Sequence, residues 1–232
     1  ASFFTTGGLA AVHASGRDRQ SIWQSLASKE TYGTTGDRIL LWFDLVNQDT
    51  LIPMGSTVNQ TDNPIFRVKA VGAFKQKPGC PDYSSTDITK EEIKRICKNE
   101  CYNPSDIRKI ISRIEIVKIT PQIAKSERIE DLIDDAWKTF ECKPSQQGCE
   151  IWFVDEEFED NSRDTIYYVR AIQEPSPVVN GGNLRCTFND KGECIKVNIC
   201  YGDSRTDKED DCLTLSEERA WSSPIYINFN EA

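Results

Sequence analysis

The sequence predicts a mainly β protein, with a β-sandwich-like C-terminal region that is braced by disulfide bonds. Three observations support this fold class. About seven or eight short segments have the composition of β-strands, polar loops separate them, and all nine cysteines lie between Cys80 and Cys212. The 232 residues suffice for one large domain or two small ones, and 38% apolar with 28% charged residues is typical of a globular protein.

An amphipathic helix is expected over residues 15–30, close to the N-terminus. Asp18 lies in its first turn and Lys29 in its last, where the two charges complement the helix dipole. The two glycines of segment 32–36 are expected to end the helix. The side chains that share its apolar face are Ile22, Trp23, Leu26 and Ala27.

Two strands and a second helix are expected next. Residues 38–46 are apolar on both faces, which predicts a strand with packing on each side. Residues 65–74 alternate between apolar and polar side chains, as a half-buried strand does. A short helix is expected over 90–99, because Thr89 and Glu92 have the spacing of a capping box. Its buried side would consist of Ile93, Ile96 and Cys97.

The remaining predicted strands lie in the second half of the chain. They cover residues 111–119, 150–154, 165–172, 184–188, 194–199 and 224–229. The fourth and fifth of these flank a turn signal at 189–192, which predicts a hairpin. The aromatic residues of the strand patterns are expected in the core, and they include Trp42, Trp152, Tyr167 and Tyr168.

The cysteines indicate a disulfide framework, and therefore a secreted or periplasmic protein. The chain has one histidine and no Cys-x-x-Cys pair, so a zinc site would need nearly all-cysteine ligation at irregular spacing. Spacing favours the pairs Cys186–Cys194, Cys200–Cys212 and Cys142–Cys149. Cys80 would pair with Cys97 or Cys101, and the leftover cysteine would be free or bonded outside the chain.

The chain lacks a complete catalytic constellation. His13 is the only histidine, so every histidine-dependent mechanism would use it, but its apolar neighbours favour a structural role. A nucleophile elbow, a phosphate-binding loop and a dinucleotide motif are all missing from the sequence. One acidic loop offers oxygen ligands for Ca²⁺ but not the EF-hand spacing, which favours a solvated loop. Its carboxylates are Asp203, Asp207, Asp210 and Asp211.

Charge and hydropathy exclude two classes of partner. The net charge of −9 argues against nucleic acid, because phosphate binding needs clustered Lys and Arg. No apolar run approaches the roughly 20 residues that span a bilayer. Residues 1–9 have no basic region followed by an apolar one, so no signal peptide is visible. We therefore expect that the precursor continues upstream.

Several ordered segments resemble a known bacterial family. Residues 7–12, 17–26 and 30–39 resemble the end of the barrel in the family called domain of unknown function 3604. The resemblance continues through Cys101–Asp106, through residues 167–175 and through residues 217–226, so it spans nearly the whole chain. Members of this family are similar to the polymerase-and-histidinol-phosphatase (PHP) metallohydrolases.

The resemblance implies that the chain belongs to a longer protein with a catalytic barrel and a separate β-rich domain. Residues 1–36 would be the terminal strand, loop and helix of a preceding α/β barrel, and residues 37–232 a β-rich domain packed on it. The divalent metal ions would sit in the barrel, whose His- and Asp-rich motifs this chain lacks. Residues that would approach the active site or contact a phosphate are His13, Arg17, Thr34, Thr35 and Arg38. The alternative for these five is turn formation and helix capping.

Two functional hypotheses result. In the first, the chain is the C-terminal portion of a metal-dependent hydrolase, plausibly a phosphoesterase, and the upstream barrel is its partner, with a disulfide link through the leftover cysteine. This hypothesis predicts that the Trp23 side of the first helix packs on another polypeptide segment. In the second, the chain is a non-catalytic β-sandwich that binds carbohydrate, Ca²⁺ or a matrix component.

Overall fold

The computed structural model describes residues 7–48, 50–86, 88–97, 101–180, 185–201, 205–207, 209–210 and 212–230. Within them the chain is mainly β, which confirms the predicted fold class. Two sheets pack across one apolar core, as expected for a β-sandwich. Three additional two-stranded sheets and three α-helices accompany this sandwich in the described ranges.

The sandwich consists of an eight-stranded sheet, here called sheet 1, and a four-stranded sheet 2. Sheet 1 contains β1 (Leu9–Val12), β2 (Thr31–Thr34), β5 (Thr57–Gln60), β9 (Ile111–Ile119), β10 (Ile133–Glu141), β12 (Thr165–Gln173), β17 (Arg219–Ser222) and β18 (Ile225–Phe229). Sheet 2 contains β3 (Leu40–Asn47), β4 (Thr50–Pro53), β6 (Ile65–Val71) and β11 (Cys149–Val154).

Three two-stranded sheets and three helices lie outside the two main sheets in the described residues. The two-stranded sheets are β7 (Phe74–Gln76) with β8 (Pro104–Arg108), β13 (Ser176–Val179) with β16 (Leu213–Ser216), and β14 (Cys186–Phe188) with β15 (Cys194–Val197). The helices are α1 (Arg19–Ala27), α2 (Lys90–Cys97) and α3 (Phe158–Asn161). No helix in these described ranges reaches the length and apolarity that a bilayer crossing requires.

Strand β12 organises sheet 1. It pairs with β9 along nearly its whole length, and with β18 and then β17 along its other edge. Strand β17 continues through β2 to β1, so the N-terminal strands belong to the same sheet as the C-terminal ones. Strand β18 pairs in parallel with β5. The predicted boundary at residue 36 stays a prediction, since the sheet pairing does not say which elements precede Ala1.

Aromatic rings from both sheets meet in the centre of the core. The Phe66 ring of sheet 2 lies 4.9 Å from Phe153, 5.4 Å from Phe43 and 4.7 Å from Tyr167 of sheet 1, measured between ring centroids. Phe66 and Tyr167 are fully buried. Alternate residues of each strand supply this core, as the two-residue period of a strand dictates.

The sequence predicted the longer, alternating strands and missed most of the short ones. Each of the eight predicted segments contains a strand, although residue 184 lies outside the described residues. Eight strands of four or five residues and the polar β10 were not predicted, because their apolar and polar residues do not alternate over a long enough stretch. Strand β10 is polar, and its pairing with the apolar strand β9 holds it in the sheet. The strands missed in this way are β1, β2, β4, β5, β8, β10, β13, β16 and β17.

Both predicted helices exist, with corrected limits. Helix α1 covers Arg19–Ala27 rather than 15–30, because Asp18 is its N-cap and accepts a hydrogen bond from the Ser21 amide. The helix ends at Ala27, before the two glycines that were expected to end it, and Gly33 lies in strand β2. Helix α2 begins with the predicted capping box, in which Thr89 and Glu92 bond each other's amides at 3.1 and 3.2 Å. Residues 98 and 99, and the side chains of Ile96 and Cys97, lie outside the described residues.

Four disulfides confirm the predicted framework. The predicted pairs Cys142–Cys149, Cys186–Cys194 and Cys200–Cys212 are all bonded, and Cys80 is bonded to Cys101 rather than to Cys97. Such bonds are typical of proteins from an oxidising environment.

The Cys142–Cys149 bond joins the two sheets directly. Cys142 follows β10 of sheet 1, and Cys149 begins β11 of sheet 2. Gly148 beside it has φ +96°, and a Cβ there would lie 2.2 Å from the Ala70 carbonyl oxygen, so the close approach requires glycine. The bond therefore closes one edge of the sandwich.

Removing this bond is expected to destabilise the whole sandwich. The double variant Cys142→Ala/Cys149→Ala should lose about 2–3 kcal/mol of unfolding free energy, because the unfolded chain regains the entropy of an open loop. The matched control is Cys186→Ala/Cys194→Ala, which opens a loop of similar size beside β15, a strand whose four residues are all exposed. That control should lose about 1 kcal/mol or less, since the exposed hairpin can open locally. Urea denaturation measures both, and equal losses would contradict the assignment.

Candidate functional site

Helix α1 buries its polar side and exposes its apolar side, which is the reverse of an ordinary surface helix. Its one buried residue is Ser25, whose hydroxyl donates to the His13 carbonyl oxygen at 2.9 Å. Its apolar side chains point to solvent instead, with Ile22 37%, Trp23 65% and Leu26 49% exposed. These three residues are called the α1 face below. A surface helix normally buries its apolar stripe, so the α1 face has the character of an interface.

The unpaired edge of β1 adjoins α1 in the chain. Among the described residues β1 pairs only with β2, which leaves its other edge without strand partners. Leu9 on this strand is 41% exposed. An open, apolar edge strand offers a row of backbone donors and acceptors to a further strand. Together the α1 face and the β1 edge form a surface that is suited to another polypeptide segment.

His13 has structural contacts in this chain. Its Nε2 lies 2.8 Å from the carbonyl oxygen of Leu41, in the part of β3 that does not pair with β4. Its ring is 5.4 Å from the Tyr32 ring and 5.7 Å from the Trp42 ring. These contacts hold the imidazole beside the N-terminal strands.

The two predicted threonines connect β2 to the C-terminal strands. The Thr34 hydroxyl accepts a hydrogen bond from the Gly36 amide at 3.3 Å. The Thr35 hydroxyl donates to the carboxylate of the buried Glu218 and accepts from the Arg219 amide at 2.9 Å. These contacts agree with the alternative that the two threonines stabilise turns and strands. A role near an active site stays a prediction.

Arg38 lies in a cleft of about 280 Å³ beside the Cys80–Cys101 disulfide. Its guanidinium carbon is 3.7 Å from the centre of the Tyr102 ring, a cation–π contact. The neighbouring Asp37 accepts from Lys109 and Gln173, both at 2.6 Å. Arg17 is exposed in the loop before α1. Arg38 and Arg17 therefore stand at the surface, whereas His13, Thr34 and Thr35 are engaged within the fold.

The acidic loop does not present a ligand cage in the part that the structure describes. The Asp210 carboxylate is bonded by Arg185, which lowers the pKa of Asp210 together with the Cys212 amide. Asp207 accepts from the Glu209 amide at 3.1 Å. Asp203 and Asp211 lie outside the described residues. No group of three or more His, Cys, Asp or Glu side chains suited to a metal was found among the residues with described positions.

A charged network lies on the outward side of sheet 1. Arg113 donates to both carboxylate oxygens of Glu217, at 2.8 and 2.9 Å, and to Glu115 at 2.8 Å. Arg170 bonds Glu115 and Asp135, both at 2.8 Å. Bidentate arginine–carboxylate pairs are among the stronger hydrogen-bonded contacts in proteins. The network ties β9, β12 and the turn before β17 together.

Glu217 should make stability depend on pH. The hydrogen bonds from Arg113 lower the pKa of Glu217 below its ordinary value. Such a carboxyl stabilises the fold above the pKa it has when unfolded, about 4.3, and the contribution is lost as the pH falls through the folded pKa. We expect Glu217→Gln to cost about 1–2 kcal/mol at pH 7 and little near pH 3. Urea denaturation at both pH values measures this, with the exposed Glu156→Gln as control. An equal cost at both values would contradict it.

A buried charged cluster lies between the sheets at one end of the core. Asp155 is fully buried, accepts from the Tyr167 hydroxyl at 2.5 Å and pairs with Lys118 at 2.5 Å. Burial and the Asp155 carboxylate raise the pKa of Tyr167. Lys118 also lies 4.8 Å from the centre of the Trp137 ring. The cluster is enclosed in the core, so we assign it to stability rather than to ligand binding.

Sequence reasoning missed an aromatic surface on sheet 2. Trp152 was expected in the core, but it is 54% exposed on the outward side of β11. Trp42 and Tyr168 are half-buried, and of the four aromatics only Tyr167 is fully buried. The strand period could have revealed Trp152, because it shares a side of β11 with the charged Glu150.

Comparisons with known proteins assign a family and no activity. A family model with the description "Protein of unknown function (DUF3604)" matches residues 1–229. No curated protein and no solved structure matches the chain.

Proposed function

Because the chain belongs to this DUF3604 family of unknown function, we propose that it completes a metal-dependent hydrolase by packing against a preceding PHP-like catalytic barrel. The α1 face is the observation that carries the proposal. The sequence resemblance supports the barrel as the segment that covers this face, with phosphoesterase activity as the proposed reaction. The described residues of this chain do not supply a ligand set for the divalent metals. We therefore place the metals and the reactive water on the barrel and derive no catalytic step from this chain.

The energetics of the α1 face support a permanent partner. Burying an exposed Trp, Leu or Ile side chain contributes up to about 1.5–3 kcal/mol. The polar side of the helix is bonded to the rest of the chain, since the Ser25 hydroxyl donates to the His13 carbonyl oxygen at 2.9 Å. The helix therefore cannot turn its apolar side inward without losing that contact. A barrel segment placed on the α1 face would bury it, and a barrel strand could pair with the β1 edge.

The four disulfides support an oxidising compartment, and we place the protein in the periplasm or outside the cell.

The four disulfides use eight of the nine cysteines, and the ninth is Cys97. We propose that Cys97 bonds outside residues 1–232. Peptide mapping of native-source protein without reduction tests this: a Cys97 peptide with a free thiol, or one bonded to a cysteine within residues 1–232, would contradict it.

Hydrolysis assays test the catalytic part of the proposal. Two proteins are compared: residues 1–232 alone, and the same chain extended by the coding sequence that precedes it. With Mn²⁺ or Zn²⁺ present, only the extended protein should hydrolyse p-nitrophenyl phosphate, and EDTA should remove the activity. In the extended protein, Trp23→Lys/Leu26→Lys should lower activity at least tenfold, because two charges would face the barrel. Ile123→Lys, at a side chain 77% exposed in a loop, is the matched control.

Each outcome of these assays has a defined meaning. An extended protein that is inactive on phosphate esters with either metal would contradict the phosphoesterase. An active chain 1–232 would contradict the assignment of the metals to the barrel. Equal activity of the α1-face variant and the control would contradict the packing of the barrel on α1.

A further inference from the structure

The outward side of sheet 2 carries two tryptophans among four charged residues. Phe43, Phe66, Val68 and Phe153 point into the core, so the alternate residues of β3, β6 and β11 point outward. Six of the outward residues are called the tryptophan face: Trp42, Asp44, Arg67, Lys69, Glu150 and Trp152. None of these residues belongs to α1 or β1.

Strand register arranges the tryptophan face in two rows. Glu150 lies opposite Lys69, and Lys69 lies opposite Trp42. In the adjacent row, Trp152 lies opposite Arg67, and Arg67 lies opposite Asp44. The tryptophans stand two strands and two residues apart, which corresponds to about 12 Å from strand spacing and rise.

Trp152 lies beside an ion pair, and its ring is accessible. Arg67 donates to Glu150 at 2.9 Å across the strands. The pKa of Glu150 is lowered, first by this hydrogen bond and to a smaller extent by Lys69 and by the Trp152 indole N–H. Trp152 lies opposite Arg67 in the strand register, and its ring remains 54% exposed.

The charges of the tryptophan face balance one another. It carries two basic and two acidic side chains, whereas the whole chain has a net charge of −9. Arg67 is paired with Glu150, and the Lys69 ammonium lies 5.9 Å from the centre of the Trp42 ring. Asp44 is 9% exposed, and burial raises its pKa. The face thus offers fixed hydrogen-bond donors and acceptors without attracting a charged ligand.

We propose that the tryptophan face binds a neutral polysaccharide. One side of a pyranose ring presents C–H groups, which pack on the electron-rich face of an indole, and its rim presents hydroxyls. The hydroxyls would bond to the Arg67–Glu150 pair and to Lys69, whose positions the sheet holds fixed. The exposed Trp152 would stack on one sugar ring, and the half-buried Trp42, about 12 Å away beside His13, would contact a second ring of an extended chain. The chemical class is a neutral glycan, since an anionic polymer would meet a chain of net charge −9.

Affinity gel electrophoresis of the folded chain tests this site. The gels contain hydroxyethyl cellulose, galactomannan, laminarin or dextran as neutral probes, and polygalacturonate as the anionic probe. At least one neutral polymer should retard the protein, and Trp152→Ala should weaken that binding at least tenfold. Trp23→Ala is the matched control, because Trp23 is also exposed but lies on the α1 face, and it should bind as the wild type does.

The other outcomes would overturn the proposal. They are no retardation by any neutral polymer, retardation by polygalacturonate alone, or a Trp152→Ala variant that binds like the wild type. Self-association in sedimentation velocity that Trp152→Ala abolishes would assign the face to a second copy instead. Circular dichroism checks that the variants fold, and Arg67→Ala provides a second test, with an expected loss of at least threefold. These results are independent of the barrel proposal, because the tryptophan face does not include the α1 face.

Discussion

Replacing Lys118 by methionine is expected to lower the free energy of unfolding by about 3–4 kcal/mol, because it leaves the buried Asp155 carboxylate without its cation. Asp155 is fully buried, and the side chain of Lys118 is 11% exposed, so water cannot replace the lost charge. The Tyr167 hydroxyl and the Glu157 amide would still donate to Asp155. Neutral donors offset only part of the desolvation of an ionised carboxylate. Guanidinium denaturation at pH 7 measures the loss.

Two further variants isolate the role of charge in this cluster. Lys125→Met removes an exposed lysine and should change stability by no more than about 0.5 kcal/mol. Asp155→Asn placed in the Lys118→Met background should recover at least about 1 kcal/mol, since it removes the unpaired charge. No recovery in the double variant, or a loss below about 1 kcal/mol for Lys118→Met, would show that the pair is not held as the structure has it.

Truncating Phe66 to alanine is expected to cost about 4 kcal/mol, which is a large fraction of the stability of a typical domain. Phe66 is fully buried and its ring contacts Phe43, Phe153 and Tyr167, so the cavity would open where the two sheets meet. Neighbouring rings are held by strand pairing and cannot collapse into the space. Urea denaturation with an unchanged m-value would report the loss directly.

Ile65→Ala is the matched control for Phe66. Ile65 is the adjacent residue on β6, but its side chain points outward and is 42% exposed. We expect its truncation to cost about 1 kcal/mol or less. Comparable losses at the two positions would mean that the sandwich core does not lie between the sheets as described.

The sequence predicted the parts of the fold that local patterns encode. Alternation in 65–74 identified the central strand β6, and the spacing of Cys142 and Cys149 identified the disulfide between these two cysteines. The choice between Cys97 and Cys101 as the partner of Cys80 needed the structure, because both lie at similar separations. The strands β1 and β2 escaped prediction, since four residues depend on pairing with a distant strand such as β17.

The candidate surfaces were less predictable than the fold. Periodicity placed Ile22, Trp23 and Leu26 on one side of a helix, but only the fold shows that this side is exposed. Trp152 was misplaced because aromatic residues in strands are usually buried, and the outward direction of β11 depends on which side faces sheet 1. Of the predicted carboxylates in the acidic loop, Asp210 is paired with Arg185, a contact between residues 25 positions apart that spacing cannot reveal.

Hydroxyl-radical footprinting of Trp23 tests most directly whether the α1 face packs on a preceding barrel. The rate of Trp23 oxidation is compared between the protein from its native source and residues 1–232 alone. Trp152 is the internal reference, because it is exposed and lies outside the α1 face. We predict that Trp23 is protected at least tenfold in the native-source protein while Trp152 reacts equally in both. Equal oxidation of Trp23 in the two samples would contradict the proposed packing.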